Sequence, residues 1–483
     1  MSLSPRAGHN SGVRLDPGIA RRLATTIAAL TAIIRLTTAA AQTATTETPC
    51  AAKLFRWAED CSGLRADRGA LRGLERLRYI PLSRSGSAWL TLGGEYRLKT
   101  EYLDAPDYGL GRGEQAYTAV GERFLAHADL RTSLGLRAFA QLSAATDSGR
   151  KPAERPFDRS RPDIAQAFVD VPLPHAAVLR IGRQELDAGG NRLIAIREAG
   201  DLRLAFDMAH LAVTVAGFDA VAFYGRPVLN RPGSFDDRGN PSEKFLGGWL
   251  QRRLWLQPAA PLFNVFFFER DRSRAVYQQG LASDDRRTLG MRLSDVDAGW
   301  DYTVQAARQY GSFGEAAIDA FGAAGDVGWH APWPGRPRIA ASFGYASGDR
   351  QPGDRTLGTF DVLYPNLGYF TDAPVYYPGN TADAQPNITC AVTRSLTARA
   401  GADVIFRVSK HDAVYGPPGV PVLPGRGTGP SYVTTLAYLR ADWRASPRAL
   451  VSISYVHGDA GTLIRSAGGH AVNYGGLSVD VQL

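Results

Sequence analysis

The closing segment of the chain, Tyr474 to Leu483, alternates between apolar and polar side chains. Successive side chains of a β-strand point to opposite faces, so this segment has one apolar face and one polar face. It also ends on an apolar residue at the chain terminus, where soluble proteins are usually frayed and polar. The same pattern recurs along the chain in stretches of about ten residues, the length that crosses a bilayer as a tilted strand. The sequence therefore predicts an all-β fold, a single-chain antiparallel transmembrane β-barrel.

Eight upstream segments repeat this two-residue period, and charges of both signs occur in the middle of their polar faces. They lie at residues 89–102, 124–131, 134–142, 300–309, 338–345, 398–407, 437–444 and 451–455. The apolar faces are rich in Ala and Leu with Trp or Tyr near the ends, which suits lipid and its interfaces. At about 24 residues per strand and connection, a mature chain of about 440 residues predicts an even strand number near 18.

The chain is predicted to have three parts. Residues 1–41 read as a secretory signal peptide, in which two arginines precede an apolar stretch and three alanines at 39–41 offer a cleavage site. The charged, leucine-rich residues 42–85 are predicted to be a short periplasmic segment, and residues 86–483 to form the barrel. No run of 18 apolar residues occurs outside the N-terminus, which excludes a helical membrane protein.

Short turns alternate with long connections rich in polar residues, proline or glycine, and we expect the long ones to be extracellular loops. The long connections are residues 147–162, 227–243, 348–387 and 411–430. They either fold over or into the barrel mouth or are disordered, and the prolines of the last one argue against a strand there. Cys50 and Cys61 could close a short loop in an oxidising periplasm, whereas Cys390 has no obvious partner.

Short motifs in a fixed order and spacing extend over nearly the whole mature chain. They include Arg56–Asp60 (RWAED), Ile80–Arg97 (IPL to WLTLGGEYR), Gly182–Leu186 (GRQEL), Gly225–Val228 (GRPV), Gln309–Phe313 (QYGSF), Pro337–Asp361 and Phe406–Tyr415. Together these motifs resemble the alginate export family of outer-membrane porins. The chain departs from the family at Phe406-Arg407, where members commonly carry Trp, and at Leu483, where many outer-membrane chains end in Phe or Trp.

The resemblance implies an 18-stranded monomeric barrel in the cell outer membrane, with residues 86–483 as an alginate export-like domain. It also implies an electropositive, arginine-lined pore that conducts an anionic polysaccharide outward. Alginate carries one carboxylate per sugar, so a pore for it needs positive potential to recruit the chain and weak, distributed sites that let it slide.

The candidate pore residues share strand parity with the lumen or lie in the family motifs. The arginines are Arg97, Arg131, Arg137, Arg183, Arg338, Arg399, Arg407 and Arg440, and the acids expected to hold them are Asp129, Glu185 and Asp403. The alternative is that these residues form ion pairs that fill the lumen and stabilise the barrel. Residues 192–203 are the most charge-dense window of the chain, and they are predicted to be a constriction or mouth element.

The most favoured function is export of alginate or a related acidic polysaccharide. A diffusion porin for small organic acids would use the same arginines, and a secreted β-rich polysaccharide-active protein is the rival from another class. The sequence has no GxSxG, HExxH or P-loop motif, so we expect no enzyme activity, no metal and no cofactor. The expected partners are outer-membrane lipid, an acidic polysaccharide or small organic anion, the barrel-assembly machinery and periplasmic export partners, with no nucleic acid.

Overall fold

The computed structural model describes residues 50–66, 69, 71–111, 115–151, 155–190, 192–254, 260–297, 299–366 and 368–483. The predicted signal peptide lies outside the described residues. No helix in this part of the chain is long and apolar enough to cross a membrane. Its helical elements are 3₁₀ turns at Arg56–Ala58, Ser62–Arg65, Gly73–Arg78 and Pro106–Gly109, and a short α-helix at Thr462–Ser466.

Eighteen long antiparallel strands, numbered β1 to β18 here, form one closed sheet. They are β1 Ala88–Leu103, β2 Tyr117–Thr132, β3 Arg137–Ser148, β4 Ser160–Leu173, β5 Ala177–Gln184, β6 Phe206–Val215, β7 Phe218–Leu229, β8 Glu243–Arg253, β9 Leu262–Tyr277, β10 Gly280–Val296, β11 Trp300–Phe313, β12 Ala316–His330, β13 Arg338–Ala346, β14 Thr381–Ala391, β15 Leu396–Arg407, β16 Tyr432–Ser446, β17 Ala449–Gly458 and β18 Val472–Gln482. Five short strands accompany them at Ile80–Pro81, Arg238–Gly239, Thr356–Leu357, Val414–Gly416 and Val420–Leu423. The predicted barrel with about 18 strands is confirmed.

The last strand closes the barrel. Strand β18 pairs with β17 on one side and with β1 on the other, with Leu98 opposite Val479 and Lys99 opposite Ser478. Every strand of the cylinder therefore has two partners, and no sheet edge is left open to lipid, where unpaired backbone groups would be costly.

The side-chain alternation seen in the sequence separates a lipid face from a lumen face. On β2, the outward Phe124 is 50% exposed, whereas the neighbouring inward Arg123 is 1% exposed. Tight hairpins maintain this register. Between β6 and β7, both turn residues, Ala216 and Gly217, have positive φ (51° and 78°), as a two-residue type I′ turn requires.

The two ends of the barrel differ. At one end, which we call the short-turn end, tight connections join the strands. At the opposite, long-loop end, residues 185–205 join β5 to β6. The long-loop end also carries residues 104–116, 149–159, 230–242, 347–380, 408–431 and 459–471. Two of these connections turn into the lumen, and we call them L3 (residues 185–205) and L7 (residues 347–380).

Two sequence-based loop predictions need correction. Residues 411–430 are not free of strands, because Val414–Gly416 and Val420–Leu423 form a small separate hairpin. Proline is tolerated there because each strand has only one partner. The connection predicted to run to residue 387 ends earlier, since β14 starts at Thr381. Its Pro386 falls in a gap of the pairing with β15, between Ala384 and Asn387.

Candidate functional site in the barrel lumen

Loop L3 is anchored to the inner wall by Glu198. Its carboxylate accepts hydrogen bonds from Arg123 at 2.5 Å, from Arg97 at 3.4 Å and from Arg203. Arg97 also donates to the carbonyl oxygen of Gly200 and, at 3.0 Å, to Asp201. Strands β1 and β2 supply two of the three guanidiniums, so ion pairs between wall and loop hold L3 inside the barrel.

Loop L7 is anchored to the opposite wall by Asp361. Its carboxylate accepts hydrogen bonds from Arg270 at 2.8 Å, Arg272 at 3.0 Å and the Tyr277 hydroxyl at 2.5 Å. The side chain of Gln309 holds the backbone of the same residue, with Nε2 2.6 Å from the carbonyl oxygen. These partners come from β9 and β11.

An apolar core forms inside the barrel beneath L7. Tyr364 packs edge-on against Phe206 and Phe245, with ring centroids 5.2 and 4.9 Å apart. Phe266 and Phe268 of β9 belong to the same buried cluster. Inward aromatic side chains on β6 to β9 therefore pack against L7 in an apolar core, as in the interior of a soluble protein.

The two loops meet across the lumen. Ala195 of L3 donates its amide to the carbonyl oxygen of Tyr364 at 2.9 Å, and the Tyr364 amide donates to Leu193 at 2.8 Å. Ile194, between them, is fully buried. This backbone pairing joins L3 to L7 and narrows the lumen. We call this narrow part the constriction, and polar side chains line one side of it.

Two cavities flank the constriction. The larger, about 440 Å³, lies between L3 and the inner faces of β16, β17, β18 and β1, and Arg97, Lys99, Arg203, Arg440 and Arg444 contribute to its lining. The smaller, about 270 Å³, lies between L3 and L7 and is lined by residues including Arg192, Arg197, Asn366 and Tyr369. Their sizes are near the range of about 300–1,000 Å³ typical of sites for small molecules.

Arg192 and Arg197 differ from Arg203, the third arginine of L3, which is bound to Glu198. Within the described residues, neither guanidinium hydrogen-bonds or ion-pairs with a carboxylate. Arg192 donates to the Tyr369 hydroxyl at 3.3 Å, and the buried Nε of Arg197 has no acceptor in the described structure. Arg197 also has a φ of 60°, a conformation rarely adopted by a residue with a long side chain. The constriction thus presents two guanidiniums that no carboxylate of the described residues binds directly.

Four of the sequence-predicted arginines hold chain segments inside the barrel. Arg97 binds L3, as described above, and Arg407 donates to the carbonyl oxygens of Pro430 at 3.0 Å and Thr428 at 2.5 Å. Arg131 and Arg137 both bind the carboxylate of Asp129, at 2.9 and 2.7 Å, and both donate to carbonyl oxygens of the N-terminal segment.

Three other predicted arginines lie on inner wall positions nearer the open lumen. Arg338 pairs with Asp301 at 2.5 Å and also with Asp326. Arg440 pairs with Asp372 of L7 at 2.7 Å. Arg399 is exposed to the lumen, and its Nε donates to the Thr389 hydroxyl at 3.1 Å.

Arg183 does not face the lumen. On β5 the inward residues are Arg180, Gly182 and Gln184, and Arg183 lies opposite the outward Asp207, with which it pairs at 2.8 Å. A shift of one residue in parity moves a side chain to the other face of a sheet. The predicted pore-lining role of Arg183 is therefore corrected.

Of the three predicted acids, Asp129 holds arginines of the predicted set, and Glu185 and Asp403 do not within the described residues. Asp129 holds two arginines, and Glu185 lies 3.6 Å from Arg203 on its own loop. Asp403 is buried, but both its carboxylate oxygens lack a hydrogen-bond partner in the described structure, so it does not fix a guanidinium. The residues that sequence reasoning did not name, Arg192 and Arg197, lie in the charge-dense window 192–203, which was the available signal.

We expect the constriction to respond to pH through Glu185. Burial raises the pKa of Glu185 to about 7. Because this folded-state pKa lies above the ordinary value, the folded state is favoured at low pH, and that contribution is lost as the pH rises through about 7. Protonation also removes a negative charge beside Arg203, so anion preference should increase between about pH 8 and about pH 6.

Reversal potentials in a salt gradient would measure this change in wild type and in Glu185→Gln. The variant should keep the low-pH preference at both pH values. An equal pH shift in the variant would show that another group is responsible.

Comparisons with known proteins agree with the barrel architecture. A family model described as alginate export matches residues 88–478. No curated protein sequence matches the chain.

Three solved structures with the same fold illustrate its range. Acinetobacter baumannii OccAB1 has a TM-score of 0.54 and 11% identity, over 82% of this chain and 96% of that one. Pseudomonas aeruginosa OccK2 (OpdF) in complex with glucuronate has a TM-score of 0.53 and 13% identity, over 84% and 98%. Pseudomonas aeruginosa OpdK with vanillate has a TM-score of 0.51 and 10% identity, over 81% and 98%. At these identities the likeness is one of fold alone.

Proposed function

The chain belongs to the alginate export family, and from this membership we propose that it passes small acidic solutes, sugar acids above all, through the cell outer membrane. The observation that carries the proposal is the pair of guanidiniums, Arg192 and Arg197, at the lumenal constriction. A planar guanidinium without a protein carboxylate can bind the carboxylate of a solute through two parallel hydrogen bonds. A barrel of this family lies in the outer membrane and is a channel.

The lining of the larger cavity supports transit rather than tight binding. Arg97 and Arg203 are already bound to Glu198, so their positive charge is moderated, whereas Arg444 has no carboxylate partner within the described residues. The Ser454 hydroxyl offers a hydrogen bond to a hydroxylated solute, whereas the Ser452 and Ser478 hydroxyls already donate to Asp442 at 2.6 Å and Asp480 at 3.2 Å. A series of weak sites with a positive field recruits an anion and still releases it.

The size of the path favours a small solute. L3 and L7 pair through their backbones, and the cavities of about 440 and 270 Å³ that adjoin this pairing are of small-molecule size. The bound glucuronate in OccK2 and vanillate in OpdK are small carboxylates held in barrels of the same fold. On this basis, a monomeric sugar acid is the solute class that fits best.

Export of an acidic polysaccharide is the second candidate, and the family match favours it. A threaded polymer needs a continuous bore, so this function requires the L3–L7 pairing to open. Alginate should then cross the channel, whereas under the first proposal alginate oligomers only block it.

The test replaces the two free guanidiniums with neutral side chains. In planar bilayers, wild type should prefer anions and conduct glucuronate, and Arg192→Gln with Arg197→Gln should lose much of both properties. Hydrogen bonds to charged groups are worth about 1.5–3 kcal/mol, so each substitution should weaken glucuronate binding by about tenfold or more.

The matched control is Arg308→Gln. Arg308 lies on the outward side of β11, pairs with Asp319 at 3.1 Å and is well exposed, so the same chemical change there removes a charge that does not face the lumen. Selectivity should be unaltered in the control. Cation-selective wild-type channels, or equal anion preference in the double variant, would overturn the proposal.

A further inference from the structure

The chain before the barrel occupies part of the lumen at the short-turn end. The carbonyl oxygen of Trp57 accepts a hydrogen bond from Arg137 at 2.5 Å and another from Arg131 at 3.4 Å. Arg131 also donates to the carbonyl oxygen of Glu59. Both arginines have inward parity on β2 and β3, so the wall holds the segment from inside the cylinder.

Side chains of the segment reach deeper than these two contacts. The guanidinium of Arg180, on β5, lies 4.2 Å from the centre of the Trp57 ring, within cation–π range. Arg56 is 1% exposed, and it donates to the carbonyl oxygen of Leu483 at 3.4 Å. Leu54 accepts a hydrogen bond from Arg203 of L3 at 3.0 Å and lines both lumenal cavities.

The segment has its own internal closure. Cys50 and Cys61 form a disulfide, with Cα atoms 4.3 Å apart, around the residues that contact the wall. Within this loop Arg56 pairs with Glu59 at 2.9 Å, and the Lys53 amide donates to the same carboxylate at 3.1 Å. The disulfide and the buried ion pair hold residues 50–61 together as one compact unit that packs against the wall.

The attachment of this unit to the barrel is limited. The two-residue strand Ile80–Pro81 pairs with β1 and connects the segment to the cylinder. Its other wall contacts include hydrogen bonds from Arg131 and Arg137 to backbone carbonyls, the cation–π contact of Arg180, and partly exposed ion pairs of Asp60 with Arg131 at 3.5 Å and of Glu75 with Arg448 at 3.1 Å. Arg131, Arg137 and Arg180 already have carboxylate partners in Asp129 and Asp170. If the segment left, those arginines would keep their ion pairs and water would replace the carbonyls, so the wall would not be left with unpaired buried charge.

We propose that the described residues between 50 and 79 are a plug, seated by Arg131, Arg137 and Arg180, that narrows the short-turn mouth and limits the conductance of the channel. The plug also sets the floor of the cavities beside L3, through Leu54. Arg131 and Arg137 therefore hold the plug in place, a role distinct from contact with a passing solute.

The test measures single-channel conductance and the largest polyethylene glycol that enters the pore. Deletion of residues 42–79 should raise conductance by about twofold or more and admit larger polymers, because conductance follows the free cross-section of the pore. A second measurement needs no refolding. Reductant added to inserted Cys390→Ser channels, whose remaining cysteines are Cys50 and Cys61, should produce the same change when it opens the loop.

The controls separate plug release from general damage. The oxidised state is defined by Cys390→Ser channels without reductant. The open state is defined by a Cys50→Ser, Cys61→Ser, Cys390→Ser variant, measured with and without reductant. Heat-modifiable migration in a denaturing gel verifies that the deletion variant is a folded barrel. An increase after either deletion or reduction supports the plug. Unchanged conductance and polymer cut-off after both treatments would overturn it, whatever the anion preference of the channel.

Discussion

Removing Leu477–Leu483 is expected to abolish barrel assembly. These residues make up much of β18, which pairs with β17 through Ile453–Leu477 and with β1 through Tyr96–Val481. Without them both neighbours have unpaired backbone groups facing hydrocarbon, each costing several kcal/mol. Urea extraction of envelopes and heat-modifiable gel migration would report the loss, with the truncated chain found unfolded and outside the outer membrane.

The control for this truncation keeps the strand and changes only its side chains. Exchanging two apolar residues, Leu477→Val with Val479→Leu, preserves the backbone pairing and the apolar face. Normal assembly is expected for this variant. A truncated chain that inserts and conducts would contradict the role of β18 as the closing strand.

The second large effect is expected from Asp361→Ala. This change leaves Arg270 and Arg272 without the carboxylate that anchors L7, although Asp284 still lies 2.6 Å from Arg272. Removing one partner of a buried ion pair costs about 3–5 kcal/mol. We expect a lower unfolding temperature and cleavage of L7 by protease in intact cells, together with higher conductance because L7 no longer holds L3.

Asp319→Ala is the matched control for this loss of a carboxylate. Asp319 is an exposed aspartate that pairs with Arg308 on the outer surface, and such pairs contribute about 0–1 kcal/mol. The unfolding temperature and the conductance of the Asp319→Ala variant should stay close to those of the wild type. Equal behaviour of the two variants would mean that Asp361 does not anchor the loop.

The strands of the barrel wall were predictable because the alternation of polar and apolar side chains depends only on neighbouring residues in the sequence. From Glu95 to Lys99, polar and apolar residues alternate at every position, so the inward position of Arg97 followed from the two-residue period. Strand β5 reads AVLRIGRQ, where apolar residues occupy adjacent positions and the period is unclear. Arg183 was therefore assigned from a motif, and the pairing with Asp207 shows that it has the opposite parity.

The contents of the lumen were not predictable in the same way. Whether an arginine is free or paired depends on loops that return from about a hundred residues away, as Glu198 does to Arg97. The alternation of a strand identifies the face of a side chain but carries no information about the segment that packs on that face. Charge density in residues 192–203 indicated that this region matters, yet only the folded loop distinguishes the anchored Arg203 from the free Arg192 and Arg197.

The apolar core under L7 has a consequence for engineering. It occupies the side of the cylinder formed by β6 to β13, whereas the larger cavity borders β16 to β18 and β1. The larger open space beside L3 is thus displaced from the barrel axis toward one arc of the circumference. A designer who wishes to build a nanopore sensor from this protein should place recognition groups at Ser452, Ser454 and Ser478 on that arc, and should leave the other arc unchanged, because its contacts hold L7 and thereby set both thermal tolerance and current.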